Sequence, residues 1–246
     1  MHHSIFIFLL VFYVSCNSES NQNTIVAPGT SKTIIAKSPS LLIITEDKSG
    51  STGAIRKLNI EDYAALFHAF ANTHYGTIAV RVIGNPIAND RAFYRLEIPA
   101  PKPLNPINNE LNLDIKAKLT QENKKIDAEN KSLTTTIHNQ IQDFITNTIQ
   151  PKIIQYHPDG KDLTNIQDAF DHLNTFLNEP SINEFVDRKI VFLSDGIHDY
   201  SKLGRTLHFD NSKITTYTVG WKDISVFEVK PEVFESPEAL IHYLTK

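Results

Sequence analysis

Ser40-Leu41-Leu42-Ile43-Ile44-Thr45-Glu46-Asp47-Lys48-Ser49-Gly50-Ser51 is the stretch on which the fold turns. Four consecutive aliphatic residues without alternation mark a strand buried on both faces, as in a parallel sheet covered by helices on either side. A carboxylate follows almost at once, with hydroxyls two and four residues beyond it. Lys189-Ile190-Val191-Phe192-Leu193-Ser194 repeats the apolar run and leads into Asp195. In an open parallel sheet, ligands bind outside the carboxyl ends of the strands, where the strand order reverses. Asp47 and Asp195 are therefore expected on one functional edge.

Outward from these strands, helical and strand-like patterns alternate. Glu61 to His74 places Tyr63, Leu66, Phe67 and Phe70 at helical spacing, with Asn59 as N-cap and Gly76 as stop. Residues 77–83 and 92–98 read as strands. Pro99, Pro101, Pro103 and Pro106 then end the strand and force an extended connection. From 110 to 150 the chain is polar and helical, with Ile115, Leu119, Ile126, Leu133, Ile137, Ile141 and Phe144 on one stripe. One long helix, or two, is expected to pack on the body by that face; a coiled-coil surface for a partner is the sharper alternative. A helix from Asn165 to Leu177, a strand from Ile214 to Val219 closed by Gly220, and a helix from Ser236 to Leu244 complete the pattern. The expected fold is α/β, with a doubly wound, mostly parallel central sheet flanked by helices and a helical insertion at 107–150.

The 246 residues are 41% hydrophobic and 21% charged, a globular balance. A net charge of −4, from 24 basic and 28 acidic residues, leaves no basic excess for phosphates and argues against nucleic acid as a partner. The single Cys excludes an intramolecular disulfide framework and a multi-Cys zinc site.

Ile5 to Val14 is an unbroken apolar run, too short to span a membrane and suited to the core of a signal peptide over residues 1–15. His2 and His3 stand where Lys or Arg is usual. Ser15-Cys16 followed by polar residues resembles the lipobox of bacterial lipoproteins, with Tyr13 where that family prefers Leu. The resemblance implies acylation of the Cys16 thiol and a mature chain beginning there, exported and lipid-anchored in the cell envelope at the outer-membrane or periplasmic face. Acyl chains supply about 0.8 kcal/mol per buried CH₂ toward such anchoring. An ordinary secretory signal that happens to end in Cys is the alternative. Residues 16–37, rich in Asn, Ser and Thr, read as a flexible tether, and 38–246 as the folded domain.

Asp47, Ser49 and Ser51 alternate, so an extended loop would point all three side chains the same way. Such an oxygen-only set suits Mg²⁺ or Mn²⁺. Asp47-x-Ser49-x-Ser51 after an apolar strand resembles the first motif of von Willebrand factor type A domains. Leu163-Thr164-Asn165-Ile166, opening a helix, resembles that family's Thr-bearing segment, and Val191-Phe192-Leu193-Ser194-Asp195-Gly196 its strand ending in Asp-Gly. The three stand in the family's order. The resemblance implies a metal-ion-dependent adhesion site in which Ser49, Ser51 and Thr164 coordinate directly or through water, and Asp47 and Asp195 directly or from one shell out. The open metal position would take a carboxylate from a partner protein, so a binding protein and not an enzyme is expected. Thr52 to Leu58 is long for the family, and residues 107–150 are inserted before the Thr loop.

Each residue also has an ordinary role available. Ser49 and Ser51 serve in turns, Thr164 as an N-cap and Asp195-Gly196 as a turn pair. A phosphatase resembling the haloacid-dehalogenase type would use Asp47, Asp195 and Asp199, but Ser49 stands where its acid–base carboxylate belongs. Gly50-Ser51-Thr52-Gly53 lacks the Gly-Lys-Ser/Thr of a phosphate loop. His198 reads as a solvated loop residue and Trp221 as core. A structural envelope subunit using the helical insertion is the remaining alternative.

Overall fold

The aliphatic run forms strand β1 (Ser38–Asp47), buried from Ser40 to its end. A computed structural model describes residues 37–49, 55–84, 92–107, 112–157, 164–198, 206–209 and 213–246. Helix α1 (Ile60–Thr73) follows, then β2 (His74–Ile83) and β3 (Tyr94–Ile98). Helix α2 (Leu113–Phe144) runs on into a wider helix over Ile145–Ile154. Helices α3 (Ile166–Leu177) and α4 (Pro180–Asn183), strands β4 (Asp187–Leu193), β5 (Ile214–Val219) and β6 (Glu232–Phe234), and helix α5 (Pro237–Leu244) complete the order.

The six strands lie in the order β3-β2-β1-β4-β5-β6. All neighbours are parallel except β3, which pairs antiparallel with β2 at one edge. The chain winds outward from β1 in both directions, so the order reverses between β1 and β4. This is the doubly wound, mostly parallel α/β architecture expected from the buried runs.

Strand alternation divides the core into two layers. Leu42, Ile44, Val191 and Leu193 face one side, against Tyr63, Leu66, Phe67 and Phe70 of α1, the end of α2 and Leu240 of α5. Leu41, Ile43, Ile190 and Phe192 face the other, against Ile166, Phe170, Leu173 and Phe176 of α3. Full burial of each such side chain stabilises the fold by roughly 1.5–3 kcal/mol. By the same alternation Asp47 falls on the α3 side and Glu46 on the α1 side.

Helix α1 begins as expected. Asn59 accepts from the Asp62 backbone N–H (2.8 Å), and Asp62 accepts from the Asn59 N–H (2.9 Å), a reciprocal capping box. Gly76 is not its stop. The helix ends at Thr73, and Gly76 lies inside β2 with φ +124°, where a Cβ would collide with the Ser40 carbonyl and the Phe185 ring. The glycine serves close approach of two strands rather than helix termination.

The insertion also departs from the expected packing. Only its second half is buried, through Ile137, Ile141, Ile145, Ile149 and Ile153, and it extends to Ile154 rather than ending near 150. These residues recur every four positions. In an α-helix each four-residue step overshoots a full turn by ~40°, so the stripe would spiral off its face. From Ile145 the helix widens to bonds spanning five residues, as in Gln155 N–H to Gln150 O (2.9 Å), and the same step then falls short of a turn. The two drifts oppose each other and hold the stripe on the core. The wider turn also accommodates Pro151, which lacks an N–H and would crowd the carbonyl four residues back.

The first half of α2 meets the proline-rich segment instead of the body. Asn130 accepts from Lys102 N–H and donates to Lys102 O, both at 2.9 Å. Asn123 does the same for Asn105, at 2.7 and 2.9 Å. Lys102 also pairs with Glu129 (2.7 Å) and the Asn105 amide with Glu122 (3.2 Å). Three residues of extended chain rise about 9–10 Å and seven helical residues about 10.5 Å, so the two periods match. Ile115 remains 45% exposed and Leu113 79% exposed, so the stripe is not core at that end. Among the described residues no helix is long and apolar enough to cross a membrane.

Candidate metal centre

Asp47 ends β1 and Ser194 directly follows β4. The parallel register sets Glu46 opposite Leu193, which puts Asp47 and Ser194 side by side on the α3 face. The Ser194 hydroxyl donates to Asp47 Oδ2 at 2.7 Å and its oxygen accepts from Gly196 N–H at 3.0 Å. Ser49, in the turn after β1, donates its backbone N–H to Asp47 Oδ1 at 2.9 Å. Thr164, immediately before α3, donates its hydroxyl to the same oxygen at 3.3 Å.

Thr164 is available for this contact because it does not cap α3. The N-cap is Asn165, whose side chain accepts from Asp168 N–H at 3.0 Å. Asn165 N–H in turn donates to Gly84 O beyond β2 (3.4 Å), tying the start of α3 to the sheet edge. His198 also serves that helix. Its Nδ1 accepts from Ile166 N–H at 3.2 Å, a capping role in place of the solvated one expected.

Asp195 lies next along the edge. Its Oδ1 accepts from Ile197 N–H at 3.1 Å, and Lys222 Nζ stands 3.5 Å from Oδ2. Gly196 turns the chain with φ +72°, and a Cβ there would strike the Trp221 indole. Trp221 is buried, as expected. Ser51, Asp199 and Cys16 lie outside the described residues.

Asp47, Ser49, Thr164 and Asp195 are all buried or nearly so. Burial raises the Asp47 carboxyl above the ordinary range; hydrogen bonds from Ser194 and Ser49, and the charge of Lys57, pull the other way. Burial thus makes the charged form of Asp47 costlier in the folded chain than in the unfolded one, a cost to stability that is present at pH above the raised value. That cost disappears as pH falls toward the ordinary 3.8. Asp47→Asn is accordingly expected to raise the thermal midpoint at pH 7 without added metal. The gain should shrink to nothing near pH 4. A lower midpoint for Asp47→Asn at pH 7 would contradict this account.

The donor set fits a hard divalent cation. Thr164 and Ser194 direct their hydroxyl hydrogens to Asp47, which keeps both oxygens acceptors. Ser49 stands beside the same carboxylate, and Asp195 supplies a second negative charge. Oxygen-only sites of this kind suit Mg²⁺ or Mn²⁺. Among the described residues no group of three or more His, Cys, Asp or Glu residues could hold a metal ion, so a cation here would depend on the hydroxyl donors beside Asp47 and Asp195.

Ser194 and Lys57 are absent from the sequence-based set. Ser194 carried a signal: two strands aligned by their carboxyl ends bring the residue after the second run beside Asp47. Lys57, whose amine donates to the Asp47 backbone carbonyl, carried none, because the course of the chain before α1 has no periodicity to read.

No family model matches the chain, and no curated protein matches it. Similar solved structures include proximal thread matrix protein 1 of the mussel byssus, at 11% identity and a TM-score of 0.40, covering 85% of this chain and 47% of that one. Another structure of the mussel protein has a zinc-occupied MIDAS motif, at 13% identity and a TM-score of 0.36, covering 85% and 44%. The pilus adhesin SpaC of Lactobacillus rhamnosus GG is similar at 12% identity and a TM-score of 0.38, covering 84% and 29%. The chain spans less than half the length of each of these proteins.

Proposed function

We propose that this chain binds a partner protein through a divalent cation, Mg²⁺ or Mn²⁺, held by Asp47, Ser49, Ser51, Thr164 and Asp195. The observation that carries this reading is the convergence of the Ser49, Thr164 and Ser194 donors on buried Asp47, from three separate segments at the strand-order reversal. Structural hydroxyls in turns or helix caps would not need to meet at one carboxylate. When bound, the cation supplies an open coordination position that accepts a carboxylate from the partner. Asp47 orients the two hydroxyls, and Asp195 holds charge at the mouth. No nucleophile and no proton relay belongs to this scheme, so the reading is of a binding protein and not an enzyme. Export by residues 1–15 and acylation of Cys16 would display the domain on a 16–37 tether at a membrane surface of the cell envelope.

The test is a titration of Mg²⁺ and of Mn²⁺ into the chain with the thermal midpoint as readout. A ligand that binds only the folded state stabilises it by mass action, about 1.4 kcal/mol at ten times Kd, or roughly 3–6 °C. Asp47→Ala is expected to abolish the rise. An unchanged midpoint for the wild-type chain in about 10 mM of either metal would sink the reading.

A further inference from the structure

The stretch before α1, long for a type A domain, delivers a cation to the site. Its backbone is fixed on both sides of Lys57: Arg56 pairs with Asp62 at 2.6 Å, Leu58 is only 2% exposed, and Asn59 forms the capping box. From this anchored position the Lys57 amine reaches the Asp47 carbonyl, within the fields of Asp47, Glu46 and Asp195. Among the described residues, the edge then carries three carboxylates and three ammonium groups. Glu46, on the α1 side, is taken by Lys48 at 2.9 Å and the Tyr63 hydroxyl at 2.7 Å. Lys222 faces Asp195 but is 66% exposed, so solvent and salt screen it. Lys57 is the half-buried cation on the residues assigned to the metal.

We propose that the Lys57 ammonium is a built-in counter-ion to Asp47 and Asp195, competing with a divalent cation for their charge and holding the site's metal affinity low. This rests on the metal-binding reading above. The ammonium and the cation repel each other across a partly desolvated site, so binding of one is disfavoured by the other. A half-buried unit charge beside a divalent ion changes its affinity on the order of tenfold.

The sole tryptophan, Trp221, packs on Gly196 next to Asp195 and precedes Lys222, so its fluorescence reports the site directly. The experiment titrates Mg²⁺ and Mn²⁺ into the full-length wild-type chain and into Lys57→Gln, Lys57→Arg and Lys222→Gln. Trp221 emission and the thermal midpoint are both followed. Glutamine retains a donor for the Asp47 carbonyl without the charge, whereas arginine retains the charge. Lys57→Gln is expected to bind about tenfold more tightly, Lys57→Arg as the wild type, and Lys222→Gln with a smaller gain. A response in Lys57→Gln alone also supports the counter-ion role, and it overturns metal binding by the wild-type chain. Equal affinity in wild type and Lys57→Gln overturns the counter-ion role and leaves the metal reading standing. No response in any chain overturns both. Should Lys57→Gln fail to fold, Lys57→Met, which keeps the aliphatic stem without the charge, is titrated in its place, and an affinity equal to that of the wild type overturns the counter-ion role.

Discussion

Phe192→Ala is expected to lower the unfolding free energy by about 3–5 kcal/mol, the largest single effect foreseen for this chain. Phe192 is fully buried near the carboxyl end of β4, on the face that packs against α3. Its ring stacks on Phe170 at 5.0 Å with planes 4° apart, and meets Trp221 edge-on at 5.6 Å and Phe227 at 6.2 Å. Phe227 also contacts Trp221 at 4.8 Å, so removing the ring opens a cavity that three other aromatic residues line. Those neighbours are carried on α3, on the turn after β5 and beyond, and cannot all collapse inward together. At roughly 2–4 °C per kcal/mol for a chain of this size, the midpoint should drop by about 6–20 °C. Phe192→Leu, which keeps most of the volume, should recover over half of the loss. A midpoint within 2 °C of wild type for Phe192→Ala, measured by calorimetry, would show that the cluster is not the keystone of this layer.

Asn123→Ala with Asn130→Ala is expected to release the proline-rich segment while sparing the domain. Each asparagine satisfies one backbone N–H and one carbonyl of the segment, and neighbouring prolines offer no N–H of their own. Four hydrogen bonds at about 0.5–1.5 kcal/mol each put the local loss at roughly 2–4 kcal/mol after partial replacement by water. Amide exchange at Lys102 and Asn105 should accelerate by on the order of thirtyfold or more. Tryptic cleavage after Lys102 is blocked by Pro103 in any case, so exchange rather than proteolysis is the suitable readout. The global midpoint should move by less than 2 °C, because the buried stripe begins only at Ile137. Unchanged exchange in the double variant would mean that packing, not the asparagines, fastens the segment.

How far the sequence could be read follows from what each element depends on. The runs at 41–44 and 190–193 declare themselves because a strand covered on both faces must be continuously apolar. Asn59 and Ser236 are legible as caps because the capping bond is local in sequence. Strand β6 spans only Glu232–Phe234 and sits at an edge, so no period can establish itself over three residues. Gly76 misleads for a related reason. Its requirement comes from Ser40 and Phe185, which only the tertiary structure brings near it. The widened helix after Phe144 differs from the α-helical reading of that stretch, and it gives the four-residue spacing of its isoleucines a physical account. At the candidate site, Asp47, Ser49, Thr164 and Asp195 stand out as candidates because hydroxyls and carboxylates at strand ends carry chemistry wherever they fall. Ser194 is legible only through the alignment of two strand ends, and Lys57 not at all. A serine closing a strand is unremarkable alone, and a lysine in an aperiodic stretch is by default a surface residue.

The pairing of the proline-rich segment with α2 has a consequence for how this excursion can change in length. The segment leaves the sheet after Ile98 and the helix returns to the core at Ile137, two residues of the same apolar layer. Between those points, one rung joins Lys102 to Asn130 and the next joins Asn105 to Asn123. A third rung requires three more residues on one side and seven on the other, with an asparagine at the seventh. Insertions of ten residues divided in that proportion extend the arm by one step, about 10 Å. Any other division throws asparagine and backbone out of phase. The arm is therefore graduated like a ruler, free to lengthen or shorten only in whole divisions while the sheet edge at its base stays as it is.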